Sequence, residues 1–186
     1  MAPEERKSAY QRDGFILVHQ FLPQDEMEEL NTELDRYIRE VVPALPVASA
    51  FYQERGNPNS LKQLQHMGCD PFFDRYRTRR RWVEMAQELV GEPVEANPPE
   101  WFNKPPATPN LTPPHQDNYY SCLRPPNAVT LWVGLDFVDE SNGCRATCQG
   151  RTTRASDRMV PPRFWVSPKE SRTGVQRTRP GKWLYD

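Results

Sequence analysis

Histidine is scarce in this sequence, and paired cysteines at metal-binding spacing are missing. Three histidines occur among 186 residues, and the four cysteines (Cys69, Cys122, Cys144, Cys148) include no CxxC pair. That excludes zinc-ribbon spacing and a thioredoxin-like redox motif. No stretch approaches the roughly 20 consecutive apolar residues that span a bilayer, so no membrane partner is expected. An excess of one charge is also absent, with 24 basic against 25 acidic side chains and a net charge of −1. Electrostatic capture of nucleic acid is therefore not expected. Met1 to Lys7 is charged and is followed by no apolar h-region, so no secretory signal is read. Irregularly spaced cysteines then fit a reduced, cytoplasmic protein. Oligomeric state is not legible.

Twenty prolines and a mean hydropathy of −0.84 are unusual for a compact domain, although the length suits one. Residues 3–12 are charged and predict a short helix stopped by Gly14. The run Phe15-Ile16-Leu17-Val18 predicts a buried strand continuing towards Phe21. From Gln24 to about Val42, apolar residues at Met27, Leu30, Leu34, Tyr37 or Ile38, and Val41 form one stripe of a helix. Pro43 and Pro46 end it. A second helix is expected from about Asp74 to Val90, with Gly91 as its cap. Beyond Pro93 the texture turns to strands, over 93–104 and, most clearly, over Val129–Val138. Helices first and strands after predict an α+β domain around a β-barrel or sandwich.

His115-Gln116-Asp117 carries the chemistry. In extended backbone, side chains at i and i+2 share a face, so His115 and Asp117 can reach one metal while Gln116 points away. One imidazole, one carboxylate and a distant second histidine make the facial triad that leaves open positions on Fe(II). Fe(II) fits better than zinc because no third nitrogen or sulfur ligand lies nearby in sequence. The bare triplet is a weak signal, since a loop histidine bonded to a neighbouring carboxylate reads the same way.

Its flanks carry more. Tyr10-Gln11-Arg12-Asp13-Gly14-Phe15, Asn103-Lys104-Pro105-Pro106, Pro114-His115-Gln116-Asp117-Asn118-Tyr119-Tyr120, Val129-Thr130-Leu131-Trp132-Val133-Gly134-Leu135-Asp136 and Glu140-Ser141-Asn142-Gly143-Cys144 follow one another in an order that resembles the phytanoyl-CoA dioxygenase family. The resemblance implies a double-stranded β-helix (a jelly roll, cupin-like) with N-terminal helices. It implies iron at His115 and Asp117, 2-oxoglutarate as co-substrate, and Trp132 lining the 2-oxoglutarate pocket. Asn103 and Lys104 are then expected on the strand approaching the site, against the co-substrate. Trp132 also reads as an ordinary core residue. Tyr119 and Tyr120 read either as strand flanks or as substrate-facing. The family acts on acyl-CoA thioesters and small metabolites, so a small-molecule substrate is implied. The basic run Arg77 to Arg81 reads as a solvated helix face, not a CoA site. His19 is expected at a solvated strand end, and His66 at a helix end or in packing.

The resemblance breaks after Cys144. The family continues with a stretch like Leu-Arg-Tyr-Val-Pro-Gly-Ser-His, whereas this chain reads Arg145-Ala146-Thr147-Cys148-Gln149-Gly150-Arg151. From Arg145 there are eight Arg and two Lys against three acids, and no apolar period. The genetic code accounts for the break. Joining the last base of each codon from Arg145 to the first two of the next permits Arg, Tyr, Val, Pro, Gly, Ser, His in that order. A single-base deletion in a leucine codon after Cys144 would produce this. Residues 1–144 are thus expected to be the N-terminal part of the dioxygenase domain, and residues 145–186 a frameshifted, disordered tail. The jelly roll would be incomplete, and the distal histidine and the 2-oxoglutarate arginine would be lost. Three readings follow: an Fe(II)/2-oxoglutarate oxygenase by descent, an inactive remnant, and a jelly-roll ligand-binding module without redox chemistry.

Overall fold

The computed structural model describes residues 1–105, 115, 117, 123, 127–139 and 142, with the backbone alone at 146–148 and 183–185. Helix α1 (Pro3–Asp13) opens on Pro3, whose missing N–H would be unpaired there in any case. The Ala2 N–H donates to Glu5 Oε2 at 2.9 Å. Gly14 ends the helix at φ 85°, its N–H reaching the Tyr10 carbonyl at 2.7 Å, as its position predicts. No residue of α1 is buried. The helix is instead pinned to the last helix of the domain, where Arg6 Nε donates to Glu88 Oε1 at 2.7 Å and its NH2 to Oε2.

Helix α2 (Gln24–Arg36) buries the expected stripe through Leu30 and Leu34. The chain then widens into one π-turn (Tyr37–Val41) and tightens into a 3₁₀ turn (Val42–Ala44). Pro43 lacks an N–H and crowds the preceding turn, so the helix cannot run on. Tyr37 is wholly buried inside the π-turn and sets its ring edge-on to Phe73 at 5.3 Å.

Three short antiparallel strands form the sheet, β1 (Ala50–Tyr52), β2 (Leu61–Leu64) and β3 (Trp101–Phe102), in the order β1-β2-β3. Ala50 pairs with Leu64 and Leu64 with Trp101, and this row packs into the core. The next row, Phe51, Gln63 and Phe102, faces out, leaving Phe51 40% and Phe102 58% exposed. Ser60 closes the connection from β1 to β2. Its hydroxyl lies within 3.0 Å of the Glu54 N–H and of the Glu54 and Asn57 carbonyls.

Helix α3 (Pro71–Arg77) starts on Asp70, whose carboxylate accepts the Phe72 N–H at 2.9 Å and, through its two oxygens, Arg36 NH2 at 2.9 Å each. Helix α4 (Arg80–Val90) ends at Gly91, φ 87°. The single helix expected from Asp74 to Val90 is thus two. Thr78 and Arg79 leave helical geometry (Arg79 ψ 138°), which swings Arg79 onto Glu29 at 2.8 Å and over the Tyr76 ring at 4.6 Å. No glycine or proline marks that break. The basic run is largely ion-paired rather than merely solvated: Arg77 meets Asp74, Arg80 meets Glu84, and Arg81 meets Glu26.

Three expected strands differ. The Phe15 to Phe21 run forms none. His19 and Gln20 turn the chain, and Phe21 packs on Trp82 at 5.1 Å, with Arg81 over its ring. Over 93–104 only Trp101 and Phe102 pair, because Pro93, Pro98 and Pro99 have no N–H for a ladder. Residues 129–138 make no strand pairing among the described residues, although Leu135 packs against the core. A jelly roll is therefore not seen. Helices around a small antiparallel sheet are. The backbone at β4 (Ala146–Cys148) pairs with β5 (Trp183–Tyr185) in the segment expected to lack structure, and the rest of that segment lies outside the described residues. No described helix is long and apolar enough to cross a membrane.

Candidate metal centre

His115 and Asp117 follow β3 in the chain, with Asp117 in a turn rather than in extended backbone. The two side chains converge nonetheless: His115 Nε2 lies 3.5 Å from Asp117 Oδ1. Their side chains remain 34% and 52% exposed, so solvent reaches the pair. The second carboxylate oxygen is engaged elsewhere. Thr130 Oγ1 donates to Asp117 Oδ2 at 2.7 Å, a strong charge-assisted bond across 13 residues of sequence.

The donor set fits a divalent transition metal. Two donors 3.5 Å apart lie within the span that one ion bridges with bonds of about 2.1 Å. An imidazole nitrogen with a carboxylate oxygen suits Fe(II) among others. No group of three His, Cys, Asp or Glu gathers anywhere among the described residues. His19 and His66 are exposed, His66 at φ 57° leading into a 3₁₀ turn, in line with a structural place for each.

The other expected residues are scattered. The Asn103 N–H donates to the Lys62 carbonyl at 2.8 Å and its side-chain amide to the Leu61 carbonyl at 3.1 Å, so the residue extends the β2–β3 pairing. Lys104 is exposed. Trp132 is 46% exposed, which is not how a core tryptophan stands. Tyr119 and Tyr120 lie outside the described residues. Thr130 was not foreseen, yet the alternation over 129–138 puts it on the same side as Trp132, and that was its one sequence signal.

A cleft of about 310 Å³ between α2 and α3 contains none of these residues. Glu33, Arg36, Asp70 and Arg75 line it, and Arg36 is already paired with both acids. It reads as a structural ion network.

Comparison with known proteins settles the class. The sequence pattern of the Phytanoyl-CoA dioxygenase (PhyH) family matches residues 10–162, most of the chain. The chain belongs to that family. The match runs past Cys144, the boundary expected from the sequence. Among curated relatives, the peroxisomal phytanoyl-CoA dioxygenase of Mus musculus is 24% identical over 156 residues, covering 78% of this chain and 46% of its own length. The probable phytanoyl-CoA dioxygenase of Caenorhabditis elegans is 23% identical over 160 residues, covering 78% of this chain and 51% of its own. The chain thus spans about half the length of the curated relatives it matches. A solved structure, EctD from S. alaskensis with bound Fe, overlays at TM-score 0.42 and 20% identity, over 48% of this chain and 32% of that one. An overlay that partial assigns no fold.

Proposed function

We propose that this chain carries part of the centre of an Fe(II)/2-oxoglutarate-dependent oxygenase, with His115 and Asp117 as metal ligands. The approach of His115 Nε2 to Asp117 Oδ1, at 3.5 Å, carries the reading. Membership of the family supports it. Fe(II) with 2-oxoglutarate and dioxygen would supply oxidative decarboxylation coupled to hydroxylation of a small metabolite or acyl-CoA. The chain's own work is to bring an imidazole nitrogen and a carboxylate oxygen together at a site that solvent and small molecules reach. Exposed Lys104 and Trp132 are the candidates for 2-oxoglutarate, with Asn103 bracing the approach to them, and Tyr119 and Tyr120 are candidates for the substrate. The jelly roll, a cytoplasmic location and the absence of nucleic-acid and membrane partners belong to the same proposal.

Anaerobic addition of Fe(II) and 2-oxoglutarate tests it. The expected result is a weak visible charge-transfer band that His115→Ala abolishes. Metal uptake without that band would favour a non-redox binding module.

A second reading, an inactive remnant, rests on one observation: no histidine follows His115. Two protein ligands hold a metal weakly, and the facial triad wants three. On this reading the purified chain makes no succinate in air. The frame of the coding DNA after Cys144 separates a remnant from a misread gene. An uninterrupted leucine codon in place of the lost base, with succinate formed by the protein read through it, identifies a misread gene. A deletion verified in the DNA identifies a remnant.

A further inference from the structure

We infer that Thr130 is a positioning residue for the metal centre, fixing which oxygen of Asp117 a divalent cation meets. The inference rests on the reading of His115 and Asp117 as ligands. It adds how a half-exposed carboxylate is kept ready for one. Three observations carry it.

The Thr130 hydroxyl donates to Asp117 Oδ2 at 2.7 Å while Oδ1 faces His115 Nε2 at 3.5 Å. The two oxygens therefore have different surroundings, and the one nearer the imidazole is the one a shared ion would contact. Such a split favours one-oxygen ligation, which leaves more of the coordination sphere for small molecules than a two-oxygen grip would. Second, the Asp117 side chain is 52% exposed, so packing alone does not select its rotamer, and the Thr130 bond favours the one that brings Oδ2 to the hydroxyl. Third, the bond joins the loop carrying His115 and Asp117 to the 127–139 stretch, whose Leu135 packs against the hydrophobic core. Thr130 thus anchors an exposed site to the packed part of the molecule. Hydrogen bonds made to a ligating carboxylate by residues behind it commonly matter 10- to 100-fold in metal affinity.

The test uses the full chain with Co(II) alone, titrated anaerobically by calorimetry and visible absorption, so that no turnover is needed. Thr130→Val keeps the shape and removes the donor; Thr130→Ser keeps the donor and removes a methyl. The expected result is about a 10-fold weaker Co(II) affinity for Thr130→Val. Thr130→Ser should restore wild-type affinity, and both variants should keep the wild-type circular dichroism spectrum. If Thr130→Val binds as tightly as wild type while His115→Ala loses binding, the inference falls and the ligand reading stands. Equal weakening in the Val and Ser variants also overturns it, because the hydroxyl is then not the cause. A wild-type chain that takes up no Co(II) at all removes the ligand reading, and this inference with it.

Discussion

In the helical half of the molecule Tyr37 and Leu64 are wholly buried, and Met67 and Phe73 nearly so. Across the stretch that follows the candidate site, Trp132 is 46% and Phe137 81% exposed. Among the described residues the two regions meet where Leu135 packs against the core, where the Asn31 side chain reaches the Leu135 carbonyl at 3.5 Å, and where the Asn127 amide donates to Glu92. One region gathers its large apolar side chains into a buried cluster, although Phe51 and Phe102 stay exposed on the far face of the sheet. The other follows His115 and Asp117, the proposed metal ligands, and leaves large side chains open to solvent. Stability and the proposed metal binding should therefore be separable, and substitutions should sort between them.

The largest effect is expected deep in the first region. Leu64 sits in the middle strand with no exposure, between Ala50 and Trp101. Leu64→Ala should cost about 2–5 kcal/mol through lost burial and the cavity left behind, read by urea unfolding. A smaller shift than that would mean the sheet is not the wall of the core. Asp70→Ala comes next. It removes the α3 cap and strands Arg36, whose guanidinium then keeps Glu33 alone. A loss of about 2 kcal/mol is expected, with the m-value unchanged.

This contrast also explains what could be read in advance. Helix α2 and both glycine caps were legible because a 3.6-residue stripe and a Gly after it are local signals. The break at Thr78 and Arg79 was not, since it comes from Arg79 finding Glu26 and Glu29 far off in sequence. Strands β1 and β2 went unseen for a related reason: Ala50–Tyr52 and Leu61–Leu64 are too short for a period, and pairing, not composition, makes them strands. Phe15 to Phe21 has the composition of a strand but a better use for Phe21, on Trp82. At the site, the His-x-Asp spacing revealed the pair. The hydroxyl behind Asp117 needed coordinates.

A third prediction concerns the phenols of the core. Burial pushes Tyr37 well above its ordinary range, aided by its contact with Cys69. Burial does the same to Tyr76, which also lies beside the Glu26 carboxylate without meeting it in hydrogen-bond geometry. Each phenol therefore keeps its proton in the folded state at a pH where the unfolded chain has begun to lose it. The unfolded state then binds fewer protons, so stability is full below about pH 10 and declines above it. By pH 11 each should cost roughly 1 kcal/mol. Tyr76→Phe removes one of these terms together with an unpaired buried hydroxyl. Its denaturation curve should fall less steeply from pH 10 to 11 than that of the wild type. Parallel curves would mean that Tyr76 is open to water.

The smallest effect on folding should come from the proposed metal ligands. His115 and Asp117 lie outside the buried core cluster, with side chains 34% and 52% exposed. A surface substitution away from caps and core usually moves stability by less than about 0.5 kcal/mol. His115→Ala should therefore leave the urea midpoint in place while removing Co(II) binding. Leu64→Ala should lower the midpoint yet bind Co(II) normally at low denaturant, where it is still folded. That crossed pattern is what separate roles for the two regions require. If His115→Ala instead lowered the midpoint as Leu64→Ala does, the pair would be part of the scaffold. Its 3.5 Å approach would then be a structural contact rather than a place for a metal.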